Sequence, residues 1–216
     1  MEGLGPFLSS CSPSAFPLDC APMGSDRPDE ELMLAYRAGD AAAFDALYAR
    51  HRGGVFRYLR RHTGNPALAD ELFQDVWMRL IDARGRYEPQ AKFTTWLYTI
   101  AHNRLMDHFR AAGRVAFASA DDPEDDPLDD LPSADPQPED ALARKQAATR
   151  LLAALDALPA AQREAFVLQQ EGELSVEEIA TVTGVTRETA KSRLRYALAK
   201  LRASLSAPAD AQREPG

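Results

Sequence analysis

The amino-acid sequence predicts an all-α protein made of two small helical domains that are joined by a flexible acidic linker. Almost every patterned segment repeats its apolar residues at helical spacing, and no segment keeps the alternation of a β-strand. One stretch, residues 119–140, holds ten acidic residues and no Lys or Arg. The chain has 216 residues, 45% of them hydrophobic, so the remainder can fill compact cores on both sides of that stretch.

The acidic stretch, SADDPEDDPLDDLPSADPQPED, is predicted to stay unfolded. Its negative charges repel one another, and it can bury too little apolar surface to offset the entropy cost of ordering the chain. Removing its ten acids from the net charge of −8 leaves +2 on the rest of the chain. We therefore expect a disordered extension over residues 1–25, a first domain over 26–115 and a linker over 116–138. A second domain would follow over 139–206, and a disordered tail over 207–216.

Helices in the first domain are predicted over 28–38, 40–62, 66–83 and 92–112. The third begins with Asn65 as cap and Pro66 at the first helical position, where a missing N–H costs least. Its apolar residues share one arc, and the opposite arc carries Asp70, Glu71, Gln74, Asp75 and an exposed Met78. A flexible apolar residue framed by acids suits a basic protein partner, although such an arc is also typical of an ordinary solvated helix.

The fourth helix, 92–112, is predicted to bury Phe93, Trp96, Leu97, Ile100, Ala101 and Leu105. Its outer arc would then hold Thr95, Thr99, His102, Asn103, Met106 and Arg110, side chains that can hydrogen-bond to bases and phosphates. The preceding loop interleaves charges and rings: Arg84, Arg86, Tyr87, Lys92 and Phe93. That combination suits a single strand with unstacked bases. Trp96 fits either the core or a base-stacking platform, and the core is the commoner place for it.

Helices in the second domain are predicted over 139–157, 160–170, 176–182 and 187–204. Ser175 and Glu178 form a capping box, and Gly184 permits the turn that follows. Thr186 can cap the last helix, whose stripe of Ala190, Leu194, Ala197, Leu198 and Leu201 faces inward. Its basic residues are Arg187, Lys191, Arg193, Arg195, Lys200 and Arg202. This is the pattern of a helix-turn-helix whose second helix enters a DNA major groove. A basic helical hairpin without DNA is the alternative.

Several classes of protein are excluded by what the sequence lacks. Cys11 and Cys20 show no metal-ligand spacing, and His102 and His108 do not share a helix face, so we expect no metal site. There is no signal peptide, no membrane-spanning run and no phosphate-binding Gly loop, HExxH or nucleophile elbow. We therefore expect a cytoplasmic protein that is not an enzyme, has no cofactor and does not insert into a membrane.

Two stretches in this order across an acidic linker resemble the extracytoplasmic-function (ECF) sigma factors of the sigma-70 family. They are ADELFQDVWMRLIDARGRYEPQAKFTTWLYTIAHNRLMDHFR and ALPAAQREAFVLQQEGELSVEEIATVTGVTRETAKSRLRYALAKLR. The resemblance implies that the first domain is sigma region 2 and the second is sigma region 4. It further implies a protein that binds core RNA polymerase, through the β′ clamp helices and the β flap, and directs initiation at promoter DNA. An anti-sigma factor is a further implied partner.

The resemblance also assigns roles to residues. Asp70, Glu71, Gln74, Asp75 and Met78 would bind the polymerase. The −10 element would be read and melted by Arg84, Arg86, Tyr87, Lys92, Phe93, Thr95, Trp96, Thr99, His102, Asn103 and Arg110. The −35 element would be bound by Thr186, Arg187, Glu188, Thr189, Lys191, Ser192, Arg193 and Arg195, with Arg193 either a phosphate contact or a structural ion pair.

One departure concerns the melting helix. Primary sigma factors carry a pair of Trp there, whereas this chain has Thr99 and Ile100, a difference that fits specialised factors with stricter promoters. The alternative function is a free-standing helix-turn-helix regulator. Such a protein would bind a palindrome as a dimer, without polymerase, and would not need the pattern over residues 66–110.

Overall fold

The computed structural model describes residues 27–113 and 141–206. The first domain contains α1 (Asp29–Arg37), α2 (Ala41–Thr63), α3 (Pro66–Ala83) and α4 (Phe93–Ala111). The second contains α5 (Ala141–Asp156), α6 (Ala160–Gly172), α7 (Val176–Thr183) and α8 (Arg187–Ser206). No strand occurs in these two ranges, so the predicted all-α class and the order of the helices are confirmed. The extension, the linker, the tail and both cysteines lie outside the described residues, and the domain bounds stay a prediction.

Local signals in the sequence fix the helix ends. The Asn65 side chain accepts hydrogen bonds from the backbone N–H groups of Ala67 and Leu68, at 3.0 and 3.5 Å. Ser175 and Glu178 form the expected reciprocal capping box. Both devices satisfy N–H groups that have no partner within the helix. One element was missed: Arg84–Arg86 forms a turn of 3₁₀-helix directly after α3, where a loop was predicted.

The core of the first domain combines aromatic and aliphatic side chains. Trp77 packs edge-on against Tyr48 and Phe44, with ring centroids 4.8 and 5.9 Å apart. Offset and edge-on pairs of this kind are the favoured geometry for aromatic rings. Leu72 and Leu97 are completely buried beside them. The helices of this domain therefore form a packed unit that fixes the faces of α3 and α4.

Removing one of these core side chains should destabilise the protein strongly. Leu72→Ala is expected to lower the free energy of unfolding by about 2–5 kcal/mol, because it loses buried apolar surface and leaves a cavity. The measurement is a urea titration of the full chain followed by circular dichroism. Leu205→Ala is the matched control, since Leu205 is 42% exposed and its loss should change stability by less than about 0.5 kcal/mol. Equal losses for the two variants would contradict this description of the core.

The buried face of α4 differs from the prediction. Trp96 and Ile100 are only partly buried, whereas Tyr98 is 1% exposed. Thr95 and His102, which were expected on the outer arc, are 4% and 9% exposed. The prediction that these two face solvent is wrong. The physical reason is that α4 is covered on two sides, by its own domain and by the second domain.

The second domain packs directly against the first. Helix α6 lies on α2, and α7 lies on α4. The buried apolar residues of both domains join in one continuous cluster, to which α6 and α7 contribute Leu168 and Ile179. A second, smaller cluster joins α5 to the end of α8 through Leu155, Leu158, Ala197 and Leu201. The face of α6 and α7 thus meets the face of α2 and α4.

Candidate protein and nucleic-acid interfaces

The acidic arc of α3 is open to solvent. Asp70, Glu71 and Gln74 are exposed, and Met78 is 57% exposed, the largest fraction among the exposed large hydrophobic side chains of the described residues. A flexible thioether beside carboxylates can adapt to the apolar and basic groups of a partner protein. This arrangement fits a docking face for a basic, partly apolar surface of another protein.

Asp75 differs from its neighbours on this arc. Its carboxylate accepts from the guanidinium of Arg104 on α4, with N–O distances of 2.7 Å to Nε and 2.6 Å to the terminal amine. Arg104 is only 15% exposed, so this is a geometrically fixed, two-point pair. Asp75 therefore ties α3 to α4 within the domain in addition to lying on the docking face.

A concavity of about 400 Å³ lies between the C-terminal half of α3 and the outer side of α4. It is lined by Arg79, Asp82, Ala83, Arg86, Ile100 and Asn103. Asn103 and Arg86 are exposed and carry the donor and acceptor groups that hydrogen-bond to base edges and phosphates. Arg79 is held by Asp107 at 3.2 Å. Sequence reasoning selected Asn103 and Arg86 but missed Arg79 and Asp82, because only the crossing of α3 over α4 brings these residues together.

The aromatic residues of the loop before α4 are not available as base platforms in this state. Tyr87 and Phe93 are 1% and 0% exposed. Burial, together with the negative charges of Glu30 and Asp29, raises the pKa of Tyr87 to about 12. Trp96 is half-buried and packs 5.0 Å from the Tyr87 ring and 6.1 Å from the Phe93 ring. The three rings thus form a small core that supports the loop. Phe93 is buried as predicted, whereas the Tyr87 ring, which was expected to face an unstacked base, is buried as well.

The cations of the same loop remain outside that core. Arg84, Arg86 and Lys92 are exposed. The Arg84 guanidinium lies 5.7 Å from the centre of the Tyr36 ring, within the range of a cation–π contact. At the far end of α4, Arg110 is exposed and pairs with Asp107 at 3.2 Å. These side chains and Asn103 give the outer side of the first domain a basic, hydrogen-bonding surface.

The helix-turn-helix is present as predicted. Gly184 has φ of 69°, the left-handed conformation that ends α7 at little steric cost to glycine. The Thr186 hydroxyl accepts from the Thr189 N–H at 3.1 Å, so it caps α8. Ala190 and Leu194 are buried against the rest of the domain. Those contacts leave the opposite side of the first turns of α8 facing solvent.

The solvent-facing side of α8 is basic. Arg187, Glu188, Lys191 and Arg195 are exposed, and Thr186 is exposed at its start, while Thr189, Ser192 and Arg193 are half-buried. Arg187 pairs with Glu177 of α7 and with Glu188 at 3.1 Å, whereas Lys191 makes no ion pair with any described residue. The Nε of Arg193 is buried without a hydrogen bond, and Arg193 has no ion-pair partner in either described range. The Arg195 guanidinium lies 5.0 Å from the centre of the Tyr196 ring. The geometry is that of a recognition helix with cations on its exposed side.

Within residues 27–113 and 141–206 there is no group of three or more His, Cys, Asp or Glu placed to hold a metal ion. None of the helices in the part of the chain that the structure describes combines the length and apolar character that a membrane crossing requires.

Comparison with protein families gives two matches. Residues 47–115 match the model of sigma-70 region 2, and residues 148–201 match the model of sigma-70 region 4. The first match contains α3 and α4 with the concavity between them. The second contains α7, the turn and α8 as far as Leu201.

Curated relatives align over most of the chain. It is 37% identical to the RNA polymerase sigma factor CarQ of Myxococcus xanthus, over 79% of this chain and 93% of that protein. It is 34% identical to the ECF RNA polymerase sigma factor RpoE of Cereibacter sphaeroides, over 84% of this chain and 98% of that protein. It is also 33% identical to the ECF sigma factor SigM of Mycobacterium tuberculosis, over 82% and 84%.

Two solved structures share the fold. CnrH in complex with the cytosolic domain of CnrY matches with a TM-score of 0.58 at 24% identity, covering 82% of this chain and 96% of CnrH. The sigma factor RpoE of Bartonella quintana, in complex with the anti-sigma factor NepR, matches with a TM-score of 0.55 at 24% identity, covering 75% and 96%.

Proposed function

The chain belongs to the ECF sigma factors of the sigma-70 family, and from this premise we propose which of its surfaces carries each step of initiation. As a sigma factor it binds core RNA polymerase and promoter DNA and directs transcription initiation. Sigma factors are non-enzymatic initiation factors, so binding energy and not bond-making chemistry has to open the promoter. The observation that supports the assignment of surfaces is that one chain exposes an acidic face with a protruding Met78 and, on another domain, a basic recognition helix.

The polymerase-docking face is proposed to be the acidic arc of α3. Met78 would fill an apolar recess, and Asp70, Glu71 and Gln74 would meet basic and amide groups of the clamp helices of the β′ subunit. Central apolar anchors ringed by polar contacts carry most of the energy of such interfaces. Asp75 would contribute from its position beside Arg104. The β flap is the proposed second contact of the polymerase, on the second domain.

The −35 element is proposed to lie across the first turns of α8. Lys191 and Arg195 are exposed there, and Arg187 is oriented by Glu177 of α7. Cations at this end of a recognition helix reach both phosphates and base edges. The half-buried Arg193 would contact a phosphate beside the groove.

The −10 element is proposed to bind on the outer side of α4 and the loop before it. The concavity lined by Arg86 and Asn103 would hold an unstacked base of the non-template strand, while Arg84, Lys92 and Arg110 would hold phosphates. Unstacking a base costs a few kcal/mol. The contacts in the concavity would offset that cost, and they form only when the strands separate. Binding energy would therefore favour the opened DNA.

This assignment predicts a specific loss in Asn103→Ala. With promoter and polymerase saturating, open complexes should fall by roughly tenfold or more, because a contact to an unstacked base is worth about 1–3 kcal/mol. The measurement is permanganate reactivity of unpaired thymines in the holoenzyme–promoter complex. Arg52→Ala is the control, since Arg52 is an exposed cation on α2 that does not line the concavity. Normal opening by Asn103→Ala would show that the concavity holds no base.

An anti-sigma factor is the further partner we propose. The sigma factor RpoE of Bartonella quintana is bound to the anti-sigma factor NepR in its solved structure, and this chain shares that fold. A partner of this class would compete with the polymerase for the exposed arc of α3.

A further inference from the structure

A second concavity, of about 640 Å³, lies where the end of α2 meets α5 and α6 of the second domain. Pockets that hold small molecules have volumes of about 300–1,000 Å³. Its lining includes four arginines, Arg57, Arg60, Arg61 and Arg163, and one acid, Asp156. We refer to this concavity as the arginine cleft.

Two of the four arginines have no acidic partner. Arg60 and Arg61 lie in the last turn of α2 and are half-buried, and neither forms an ion pair with any residue in the two described ranges. A partly buried charge is less screened by water, so it attracts an anion more strongly than a fully exposed one. Arg57 differs from them, because Glu171 of α6 binds its guanidinium at 2.7 Å.

Arg163 brings a fixed positive charge to the cleft from the other domain. Its terminal nitrogens donate to the carbonyl oxygens of Arg61, Asp156 and Leu158, at 3.3, 2.8 and 3.0 Å. Its Nε is buried without a hydrogen bond to any described residue. Carbonyl oxygens satisfy the hydrogen-bond donors of a guanidinium, but they do not cancel its charge. The cleft therefore keeps the charge of Arg163 in one defined place.

Other titratable groups beside the cleft do not neutralise these arginines. Asp156 is exposed and is the one acid among the described lining residues. Burial lowers the pKa of His62, so its ring adds no charge at neutral pH. Glu164, which is buried on α6, already binds Tyr58 of α2 and His102 of α4, at 2.9 and 2.7 Å. Three arginine charges thus face a single carboxylate.

The dipole of α2 explains part of this pattern. Cations in the last turn of a helix interact favourably with its terminal carbonyl groups, which accounts for Arg60 and Arg61 by themselves. It does not account for Arg163, which reaches the same cleft from a helix of the other domain. The planar fork of a guanidinium can bind two oxygens of one phosphate, which an ammonium group cannot do. A set of cations made only of arginines therefore favours a ligand with several phosphate groups.

The cleft also has an apolar side. Leu152 of α5 is 37% exposed, and Phe56 of α2 is half-buried. The Phe56 ring packs edge-on against Phe73, with ring centroids 5.8 Å apart, so it is held in place. Apolar side chains beside cations suit a ligand that joins an aromatic ring to anionic groups. A nucleotide has both parts in one small molecule.

We propose that the arginine cleft binds a nucleoside polyphosphate. The phosphate chain would lie on Arg60 and Arg61, close to the charge of Arg163, and the base would lie against Leu152 and Phe56. This inference goes beyond the proposed function, since none of the residues assigned to the polymerase or to the promoter lines the cleft. The ligand would contact both domains at once, so it would stabilise the folded chain in proportion to its occupancy.

Isothermal titration calorimetry of the full chain with ATP, without magnesium, measures this binding directly. Arg60→Gln/Arg61→Gln should weaken binding by roughly one hundredfold, about tenfold for each charge-assisted contact that is lost. Arg52→Gln is the matched control, because it removes the same charge from an exposed position on α2 outside the cleft. It should bind ATP as tightly as wild type, and both variants should keep wild-type helicity by circular dichroism.

Asp156→Asn should have the opposite effect. It removes the carboxylate from the cleft and keeps the backbone carbonyl oxygen that accepts from Arg163. The affinity for ATP should rise roughly threefold, because one repulsive charge is lost. Partial unfolding of a variant cannot produce such a gain, so this substitution tests the site independently of stability.

Two further ligands separate the phosphate chain from the base. Sodium tripolyphosphate has the chain without a base, and AMP has the base with one phosphate group. ATP should bind about tenfold more tightly than either, because each lacks one of the two sets of contacts. Leu152→Ala should weaken the binding of ATP and leave that of tripolyphosphate unchanged, since it removes only apolar surface.

Three results would contradict the proposal. Wild-type chain that binds no ATP at millimolar concentration, or that binds it no better than Arg60→Gln/Arg61→Gln, would overturn the site. Equal affinity for ATP and tripolyphosphate would remove the base from Leu152 and Phe56. If wild type ignores ATP and the double variant loses affinity for a single-stranded oligodeoxynucleotide, the cleft is a nucleic-acid contact instead. These titrations need no polymerase, so their failure would leave the proposed function unchanged.

Discussion

Replacing Lys191 and Arg195 together by alanine is expected to reduce promoter-directed transcription by roughly one hundredfold, because each contact of this kind is worth about 1–3 kcal/mol. Both side chains are exposed on the first turns of α8, and neither has an acidic partner in the described residues. The measurement is a run-off assay with reconstituted holoenzyme at several salt concentrations. The loss should become smaller as salt rises, because the variant releases fewer counterions and its affinity therefore falls less steeply with salt than that of wild type.

Arg202→Ala is the control for this experiment. Arg202 is exposed on the same helix but lies about four turns away from its N-terminal end, so its removal should leave promoter recognition unchanged. Single variants then separate roles: a base contact changes which −35 sequences are used, while a phosphate contact weakens all sequences alike. Full activity of the double variant at every salt concentration would remove α8 from the promoter interface.

Replacing Gln74 and Met78 by alanine is expected to weaken binding to core RNA polymerase by about thirtyfold or more, the effect of losing a central anchor worth about 2 kcal/mol. Neither side chain contributes to the buried core, because both are exposed, so the variant should keep its free energy of unfolding. The measurement is fluorescence anisotropy of labelled sigma factor titrated with core polymerase. Gln170→Ala, an exposed residue on α6, should bind as tightly as wild type.

A substitution of Asp75 would be a less specific test of the same docking face. Its carboxylate binds Arg104 at 2.6 Å, and Asp75→Ala would leave this largely buried guanidinium with only the longer contact to Glu71, at 3.9 Å. The substitution would therefore change stability as well as docking. The docking variant therefore uses Gln74 and Met78. Unchanged affinity of that variant for core polymerase would move the docking face away from the exposed arc of α3.

Sequence patterns predicted the helices because the relevant interactions are local. The Asn65 cap, the capping box of Ser175 and Glu178 and the left-handed Gly184 each act within a few residues of the helix end that they define. The same holds for the exposed acidic arc of α3, where helical periodicity alone separates Met78 from the core. The helix-turn-helix could be predicted nearly complete on these grounds.

The interface between the domains could not be predicted in this way. His102 and Glu164 are 62 positions apart, and the acidic segment between them carries no pattern that would orient one domain against the other. The sequence of a helix predicts that its polar arc faces solvent, even where another part of the chain covers that arc. For the same reason Arg79 and Asp82 were missed, because a concavity between two crossing helices has no signature in either helix.

This chain is expected to give core RNA polymerase the ability to start transcription at specific sites. The most direct test is transcription by purified core polymerase from a library of random DNA templates, with and without the chain. We expect transcripts only when both proteins are present, starting downstream of two shared sequence motifs at a fixed spacing. If the chain instead binds a palindromic site without polymerase and adds no initiation to core enzyme, it acts as a free-standing regulator, and the roles assigned to α3 and α4 are wrong.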